Sequence, residues 1–430
     1  MLDLACLQSP MDPFDTPAFN LARKQVELIA ELLDISPSMR EPLLWPKRCI
    51  AVSLPVQMDD GSIKVFDGYR VHHHLAMGAT KGGVRFTPDL TMGEAAGLAI
   101  WMSWKCALAG LPYGGAQGGV CVDPRRLSVG ELERISRRYM HEMIPFVGPK
   151  ADIMGPDMGT DERVMAWLMD TYSAYLGHAE PGIVTGKPVS IGGITGRREA
   201  AGLGVVYLIE RAADMMKLAL RTARVIIQGF GAVGAVAAQE LSYRCGATIV
   251  GLSDSTGAYY NEKGIDIWRA YGQALERGDL RNFDGAERID PDDLLIAPCE
   301  VLIPAAIGGV ITERNAGKLQ CRILAEAANG PTTTEADKIL FERWNEIFVI
   351  PDILCNVGGV VVSYFEWIQS LQSFFWKRTE VVDRLYRTLE QAFVAVTRRA
   401  KRQKIPHRLS ALAIAVERVI QARKTFGLFP

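Results

Sequence analysis

The sequence lacks the long apolar run that a membrane-spanning helix requires. Such a helix needs about 18 or more consecutive apolar residues. The best candidate, Ala95–Met102, is far shorter and continues into Ser103 and Lys105. The segment Met1–Pro13 contains two aspartates and no lysine or arginine, so it does not resemble a secretory signal. We therefore expect a soluble, cytoplasmic protein with no membrane partner.

An excess of either charge sign is also missing, and so is any closely spaced cysteine pair. The 48 lysines and arginines nearly balance the 49 aspartates and glutamates, which leaves a formal net charge of −1. A nucleic acid has no overall electrostatic attraction to such a chain, and we expect none as a partner. The eight cysteines are scattered singly without a CxxC motif, which is typical of reduced thiols.

A run of three histidines, His72-His73-His74, is the one candidate for metal binding. On a strand, alternate side chains share a face, so only His72 and His74 could meet the same ion. No acidic cluster lies nearby in the sequence. We interpret the three as structural or surface histidines and expect no bound metal.

The order of predicted elements indicates two α/β domains, as the length of 430 residues suggests. The first opens with strands Cys49–Val56 and Ser62–Val71, joined at Asp60-Gly61, and continues with capped helices. The stretch Gly182–Gly196 resembles a hinge or linker. Beyond it helices alternate with predicted strands: Val225–Gln228, Thr248–Leu252, Val301–Ile303, Ile323–Glu326 and Ile347–Ile350. This alternation favours a doubly wound parallel sheet.

A glycine motif in the second domain predicts dinucleotide binding. Gly229, Gly231 and Gly234 fit GxGxxG directly between a strand and a helix, an arrangement far more specific than the glycines alone. Asp254 lies at the end of the next strand, about 20 residues after Gly234. A carboxylate there accepts hydrogen bonds from the ribose hydroxyls and repels a 2′-phosphate. We therefore expect NAD, with NADP less favoured.

The first domain contains Lys81 within the glycine-rich stretch KGGVRF. A second glycine-rich stretch, PYGGAQGGV, follows Lys105. Glycines leave backbone amides open and let a small anion approach closely. Lys105 lies near the end of an apolar helix, where an ammonium needs a partner. A substrate carboxylate and an internal acid are equally consistent with this residue.

These motifs together resemble the glutamate, leucine, phenylalanine and valine dehydrogenase family. The resemblance extends from about Arg48 to Pro430 and includes WMSWK, DIMGPDMGT, VTGKP, AEAANGPTT and NVGGVVVSYFEW. It implies a substrate-binding and oligomerisation domain over residues 20–188 and a Rossmann dinucleotide domain over 189–360. C-terminal helices over 361–430 would close a cleft and pack back on the first domain. The resemblance also implies a hexamer.

The resemblance assigns a role to each candidate residue. Lys105 would bind the α-carboxylate of an amino acid, with Met102 in the pocket wall, and Lys81 with Ser363 would bind a distal carboxylate. Members that take apolar amino acids have apolar residues at those last two positions, so the substrate implied is glutamate, with 2-oxoglutarate as product. Asp157 would move protons at the amine. On the cofactor side the matching positions are Ala201, Ala232, Asn329 and Asn356.

The sequence departs from the family pattern at the centre of the site. Gln117 occupies the place of the lysine that activates water, and glutamine cannot titrate. Ala201 stands for a threonine, Ala232 for an asparagine, and Gly309-Val310 for an Asn-Gln pair. The chemistry is either weakened or rescued by a neighbour such as Lys150.

Three hypotheses follow from these observations. The first is an NAD-dependent glutamate dehydrogenase whose isolated chain is impaired. The second is a non-catalytic regulatory subunit that binds an amino-acid effector and assembles with an active sister subunit. A nucleotide-binding scaffold without an amino-acid site is the third, and Lys81 and Lys105 argue against it.

Overall fold

The computed structural model describes residues 12–427, so Cys6 lies outside the described residues. The helices are α1 Pro17–Leu32, α2 Pro37–Leu44, α3 Met92–Leu108, α4 Val129–Met143, α5 Glu162–Leu176, α6 Ala200–Met216, α7 Ala232–Tyr243, α8 Ile267–Arg277, α9 Pro291–Ile296, α10 Thr334–Glu342, α11 Asp352–Cys355, α12 Gly358–Gln372, α13 Arg378–Gln403 and α14 His407–Phe426. The strands are β1 Arg48–Gln57, β2 Ile63–His72, β3 Thr80–Thr87, β4 Gly114–Cys121, β5 Asp152–Pro156, β6 Arg224–Gln228, β7 Thr248–Asp254, β8 Gly257–Tyr260, β9 Glu287–Ile289, β10 Val301–Pro304, β11 Ile323–Ala325 and β12 Phe348–Ile350.

The chain divides into two compact units, and neither is continuous in sequence. Unit 1 contains the described residues through Thr195, then Ser363–Trp376 and the chain from Leu412 onward. Unit 2 contains Gly196–Val362 and Lys377–Ala411. The segment 361–430, predicted as a separate group of C-terminal helices, is therefore shared between the two units. Among the described residues, no helix has the length and apolar character needed to cross a membrane.

Unit 1 is built on a five-stranded sheet in the order β1-β2-β4-β3-β5. The predicted hairpin is present as β1 and β2, which are antiparallel, while β3 runs parallel to both β4 and β5. Helices α4 and α5 close the core with residues such as Tyr139, Met140 and Leu168, all fully buried. Helix α4 begins with a capping box formed by Ser128 and Glu131, and α5 ends at Gly177 in the left-handed conformation.

Three strands of this sheet, β3 to β5, were not predicted as strands. Glycine is depleted in strands, so the glycine content of KGGVRF and PYGGAQGGV argues against a strand assignment from sequence. In the structure the glycines permit very close backbone packing. A Cβ on Gly82 would lie 1.6 Å from the carbonyl oxygen of Ala116, and one on Gly119 would lie 1.7 Å from that of Arg85. The glycines therefore belong to the sheet itself.

Unit 2 is built on a seven-stranded sheet in the order β12-β11-β10-β6-β7-β8-β9. The five strands from β12 to β7 are parallel, and each overlaps a strand predicted from the alternating pattern. Strands β8 and β9 continue the sheet in antiparallel fashion, so it is mixed rather than wholly parallel. They are short, at Gly257–Tyr260 and Glu287–Ile289, and carry little sequence signal.

Candidate functional site

Lys81 and Thr185 approach each other beside Gly155 of β5, the edge strand of the sheet in unit 1. Lys81 lies on β3 opposite Gly115 of β4 and Ile153 of β5, and it is 4% exposed. A Cβ on Gly155 would lie 2.7 Å from the Lys81 Nζ and 3.2 Å from the Thr185 Oγ1. The ammonium and the hydroxyl therefore converge on one point, which only glycine leaves open.

Ser363 joins this group from helix α12. Its Oγ lies 2.6 Å from the Thr185 Oγ1, and both side chains are buried. The structure thus brings together the predicted pair Lys81 and Ser363, with Thr185 between them. An ammonium and two hydroxyls are a suitable set of donors for a carboxylate. Thr185 was missed as a site residue, although it lies within the VTGKP motif.

Gln117 is held at both ends of its amide. It lies on β4 opposite Gly83 of β3, and its Oε1 accepts a hydrogen bond of 3.0 Å from the Gly83 amide. Its Nε2 donates to the Asp157 Oδ2 at 2.5 Å. Gln117 is 3% exposed, so this arrangement is shielded from water. The two predicted catalytic positions are therefore in direct contact.

Asp157 accepts several further hydrogen bonds. Its Oδ1 accepts from the Met158 amide at 2.8 Å, and the Arg85 Nε lies 3.2 Å from its Oδ2. Arg85 also donates to Glu94 at 2.8 Å. Burial opposes the charge of Arg85, but the two carboxylates raise its pKa above the ordinary value. Asp157 is thus surrounded by an arginine, a glutamine amide and a backbone amide. Arg85 was missed as a site residue, although it lies within the KGGVRF motif.

Lys105 and Met102 occupy successive turns of helix α3, and both are partly exposed. Cys106 follows Lys105 on α3, and its thiol is buried. Burial raises the pKa of this thiol to about 12, while the charges of Lys81 and Lys105 act in the opposite direction. Both predicted carboxylate-binding lysines therefore lie within electrostatic range of the same buried thiol. Lys150, by contrast, is solvent-exposed.

The glycine motif of unit 2 has the backbone geometry that a dinucleotide needs. Gly229 adopts φ +102° directly after β6, and a Cβ on Gly234 would lie 1.9 Å from the Gly229 carbonyl oxygen. Gly231 has no heavy atom within 4 Å of its Cβ position, so the space beside it is open. Ala232 begins helix α7, whose N-terminus carries the partial positive charge that favours a pyrophosphate.

Asp254 ends strand β7, as predicted, but its carboxylate also holds the following turn. Its Oδ1 accepts from the Thr256 amide at 2.7 Å and from the Thr256 hydroxyl at 2.6 Å. Its Oδ2 accepts from the Leu280 amide at 2.6 Å. A cavity of about 520 Å³ opens beside it and is also lined by Arg288. A carboxylate and a guanidinium thus share this cavity.

Asn356 and Asn329 lie in contact in unit 2. The Asn356 Nδ2 donates to the Asn329 Oδ1 at 2.9 Å and to the Ala328 carbonyl at 3.1 Å. The Asn356 Oδ1 is buried and has no hydrogen-bond partner among the described residues. A buried acceptor without a partner is costly unless a ligand supplies a donor. An amide NH₂, such as that of nicotinamide, is a donor of the right kind.

The remaining cofactor-side positions lie on the same unit. Ala201 lies on helix α6. A Cβ added to Gly359 would lie 3.8 Å from the Cβ of Ala201. Gly309 adopts φ +70°, has open space at its Cβ position, and donates its amide to the Gly330 carbonyl at 2.9 Å. Glycine at position 309 leaves space where a larger polar side chain would add contacts.

The three consecutive histidines are all buried, which excludes the surface interpretation. The His72 Nε2 lies 2.9 Å from the Asp152 Oδ2. His73 bonds to the Leu43 carbonyl and to the Ser103 hydroxyl, at 2.9 and 2.7 Å. Within residues 12–427 no group of three or more His, Cys, Asp or Glu side chains could hold a metal ion.

Comparison with known proteins agrees with this geometry. Residues 46–174 match the dimerisation domain of the Glu/Leu/Phe/Val dehydrogenases, and residues 192–427 match the Glutamate/Leucine/Phenylalanine/Valine dehydrogenase domain. The glutamate dehydrogenase of Thermotoga maritima is 45% identical over 96% of this chain and 99% of its own length. The NAD-specific glutamate dehydrogenase of Staphylococcus aureus is 44% identical, over 92% of this chain and 94% of its own.

A solved structure adds the same result at the level of the fold. The hetero-hexameric glutamate dehydrogenase of Thermus thermophilus, in a leucine-bound form, is 41% identical and superposes with a TM-score of 0.92. The match covers 97% of this chain and 99% of that one. This chain therefore belongs to the glutamate/leucine/phenylalanine/valine dehydrogenase family, in which it resembles the glutamate dehydrogenases.

Proposed function

We propose that this chain is a glutamate dehydrogenase-type subunit for the NAD-linked oxidative deamination of L-glutamate to 2-oxoglutarate and ammonia. We further propose that the chain by itself is a poor catalyst, because Gln117 replaces the catalytic lysine. The protein would act in the cytoplasm as part of a hexamer. The names of the relatives support the glutamate dehydrogenase activity and the use of NAD.

Glutamate would be bound through its two carboxylates. The distal carboxylate would accept hydrogen bonds from Lys81, Thr185 and Ser363, whose polar groups converge near Gly155. The α-carboxylate would be paired with Lys105. A leucine side chain would leave the buried ammonium and hydroxyls without a ligand partner, so the site should discriminate strongly against it.

The dinucleotide would lie against the glycine motif, with its pyrophosphate at the N-terminus of α7 and its nicotinamide amide near Asn356. The open space beside Gly231 and the unpaired Oδ1 of Asn356 support this fit. NAD, when bound, supplies the acceptor for the hydride that leaves the glutamate Cα. Asp254 would favour NAD over NADP through charge repulsion.

The protein's own acid–base chemistry is limited by the contact between Gln117 and Asp157. This contact is the observation that carries the proposal. Asp157 could still accept a proton from the substrate ammonium. Gln117 can donate a hydrogen bond to a developing oxyanion, but it cannot deprotonate water. Loss of a general acid or base reduces the rate by roughly 10² to 10⁴.

A regulatory subunit is the second candidate, and the same contact favours it. The carboxylate-binding groups are retained, while the one group that must titrate is replaced by an amide fixed at both ends. The similar Thermus thermophilus protein is a hetero-hexamer with leucine bound. In this second role an amino acid would bind as an effector, and a sister subunit would supply the turnover.

Two measurements on the purified chain test these proposals. Calorimetric titration with glutamate should detect binding, and steady-state assays with glutamate and NAD should detect little or no turnover. Binding without turnover supports the impaired or regulatory subunit. Binding with robust turnover contradicts the role given to Gln117, and absence of binding contradicts the glutamate site.

A further inference from the structure

A buried ion pair lies one helical turn beyond Ser363. The Lys187 Nζ donates to the Glu366 Oε1 at 2.9 Å, and both side chains are fully buried. Lys187 also donates to the Ser370 hydroxyl at 3.0 Å and to the Val184 carbonyl at 3.2 Å. None of these groups belongs to the set predicted to touch glutamate or NAD. A buried pair needs such additional hydrogen bonds to offset its desolvation.

The Glu366 carboxylate also accepts hydrogen bonds from the backbone next to Thr185. Its Oε2 accepts from the Gly186 amide at 2.9 Å, and its Oε1 accepts from the Lys187 amide at 3.3 Å. These two residues directly follow Thr185 in the VTGKP motif. One carboxylate therefore joins helix α12 to the loop through two amides and an ammonium, all within unit 1.

This connection fixes the spacing of the two hydroxyls that face the distal carboxylate. Ser363 and Glu366 are three residues apart on α12, so they lie on the same face of the helix. Thr185 and Gly186 are adjacent on the loop. Any shift of the loop along the helix would change both the Glu366 contacts and the 2.6 Å contact between Thr185 and Ser363.

We propose that Glu366, held by Lys187, is a positioning residue for glutamate specificity. It does not touch the ligand; it holds the Ser363 and Thr185 hydroxyls at the separation that suits a carboxylate. This role rests on the proposed glutamate site, to which it adds a residue that determines specificity without contacting the ligand. Because hydrogen-bond strength falls steeply with misalignment, loss of Glu366 should weaken glutamate much more than an apolar amino acid.

The test compares glutamate with norvaline as ligands of the full chain. Glu366→Gln should weaken glutamate binding by about tenfold or more and norvaline binding by less than about threefold. Glu366→Gln leaves the Lys187 ammonium buried without a carboxylate partner. The double variant Lys187→Met/Glu366→Gln, in which both side chains are uncharged, is therefore measured in parallel. The same selective loss is expected from it.

Coupling to Ser363 separates positioning from a merely structural role. In a Ser363→Ala background, Glu366→Gln should remove little further glutamate selectivity, since the hydroxyl it positions is gone. Gln369→Leu is the matched control. Gln369 follows Glu366 by three residues on α12 but donates to the carbonyls of Gly192 and Gly193. This control should leave the ratio of the two affinities unchanged.

The outcomes distinguish this inference from the proposed function. If the wild-type chain binds no glutamate, the proposed site is wrong, and this inference with it. If the wild type binds glutamate but Glu366→Gln and the double variant weaken both ligands equally, or add fully to Ser363→Ala, the positioning role alone is overturned.

Discussion

The amide of Gln117 donates a hydrogen bond to the Asp157 carboxylate and accepts one from the backbone amide of Gly83. A lysine placed there would gain Asp157 as a counterion, which favours the charged amine. Lys81, Lys105 and Arg85 would lower its pKa by repulsion. Its effectiveness therefore depends on which of these influences is larger at that position.

We predict that Gln117→Lys raises glutamate turnover by about tenfold or more over the wild type, but restores only part of the roughly 10² to 10⁴ expected of a general base. The recovery should be partial because Ala201, Ala232 and Gly309, at the positions proposed for the cofactor, would give a bound nicotinamide few contacts, and reaction geometry is sensitive to small displacements. Steady-state assays with NAD measure it. Gln117→Met is the control of similar size and should show no gain. Wild-type turnover near the enzyme median of about 10 s⁻¹ would contradict the role given to Gln117.

Lys81 gives a second prediction at the scale of single residues. Lys81→Ala should weaken glutamate binding by roughly 10- to 100-fold, because a charge-assisted hydrogen bond contributes about 1.5–3 kcal/mol. Norvaline has no distal carboxylate and should lose little. Calorimetry with both ligands measures the difference, and Lys64→Ala, at an exposed position of β2, is the control. An equal loss for both ligands would make Lys81 a structural residue.

Asp254 gives a third prediction, on the choice of nucleotide. We expect NAD to bind about tenfold more tightly than NADP, a modest preference. The carboxylate repels a 2′-phosphate, but its oxygens are shared with Thr256 and Leu280, and Arg288 lines the same cavity. Fluorescence titration of both nucleotides measures the ratio. NADP affinity equal to that of NAD would remove Asp254 from this role.

Among the elements of unit 1, strand β2 is directly followed by a buried side chain that is sensitive to pH, His73. Burial lowers the pKa of His73 to about 4, with Arg423 acting in the same direction and the Leu43 carbonyl opposing it. His74, beside it, also has its pKa lowered by burial. Because the unfolded chain titrates near pH 6.5, the folded state becomes less stable as the pH falls from 6.5 toward 4.

We predict that protonation linked to His73 lowers the free energy of unfolding by about 2 kcal/mol between pH 7 and pH 5. His73→Asn removes the titrating group and should reduce the fall in thermal midpoint between these pH values. Differential scanning calorimetry at both pH values measures it. His178→Asn, at an exposed position, is the control and should keep the wild-type pH dependence. An unchanged fall in His73→Asn would mean that His73 is not the responsible group.

The elements themselves differ in how far sequence could predict them. Strands β6, β7 and β10 are rich in β-branched and apolar residues, and their positions were correct to within a few residues. Strands β3 and β4 were missed because their stability comes from close backbone packing, which a local propensity does not describe. The glycine motif between β6 and α7 was predicted because two of its glycines meet local backbone requirements, the positive φ of Gly229 and the close approach of Gly234 to the Gly229 carbonyl.

The site shows a similar division. Lys81, Ser363, Gln117 and Asp157 were identified from motifs, and the contacts of each follow from the sheet register and helix α12. Thr185, which contacts Ser363, and Glu366, the proposed positioning residue, were not predicted. The roles proposed for them depend on contacts between segments about 180 residues apart, such as that of Gly186 with Glu366, and no local pattern encodes such a contact.

At the scale of the whole molecule, the expected assembly is a hexamer. Light scattering on the purified chain should give a mass near six times 47.2 kDa if it forms a homo-hexamer. A regulatory subunit that requires a sister chain should instead give smaller species alone and a hexamer only when the two are produced together. A single chain that is a hexamer with full turnover would contradict the regulatory role.

The division of unit 1 among distant parts of the sequence has a consequence for how the protein is made. Arg418 of α14 donates to the last carbonyls of α3, at Ala107 and Leu108, at 2.6 and 2.7 Å. Ser363, which completes the hydroxyl pair, is also synthesised late. A ribosome adds roughly 5–20 residues per second, so the strands of unit 1 are synthesised well before α14, which packs against the end of α3. Unit 1, whose sheet precedes unit 2 in the sequence, is therefore completed only after all of unit 2 has been synthesised.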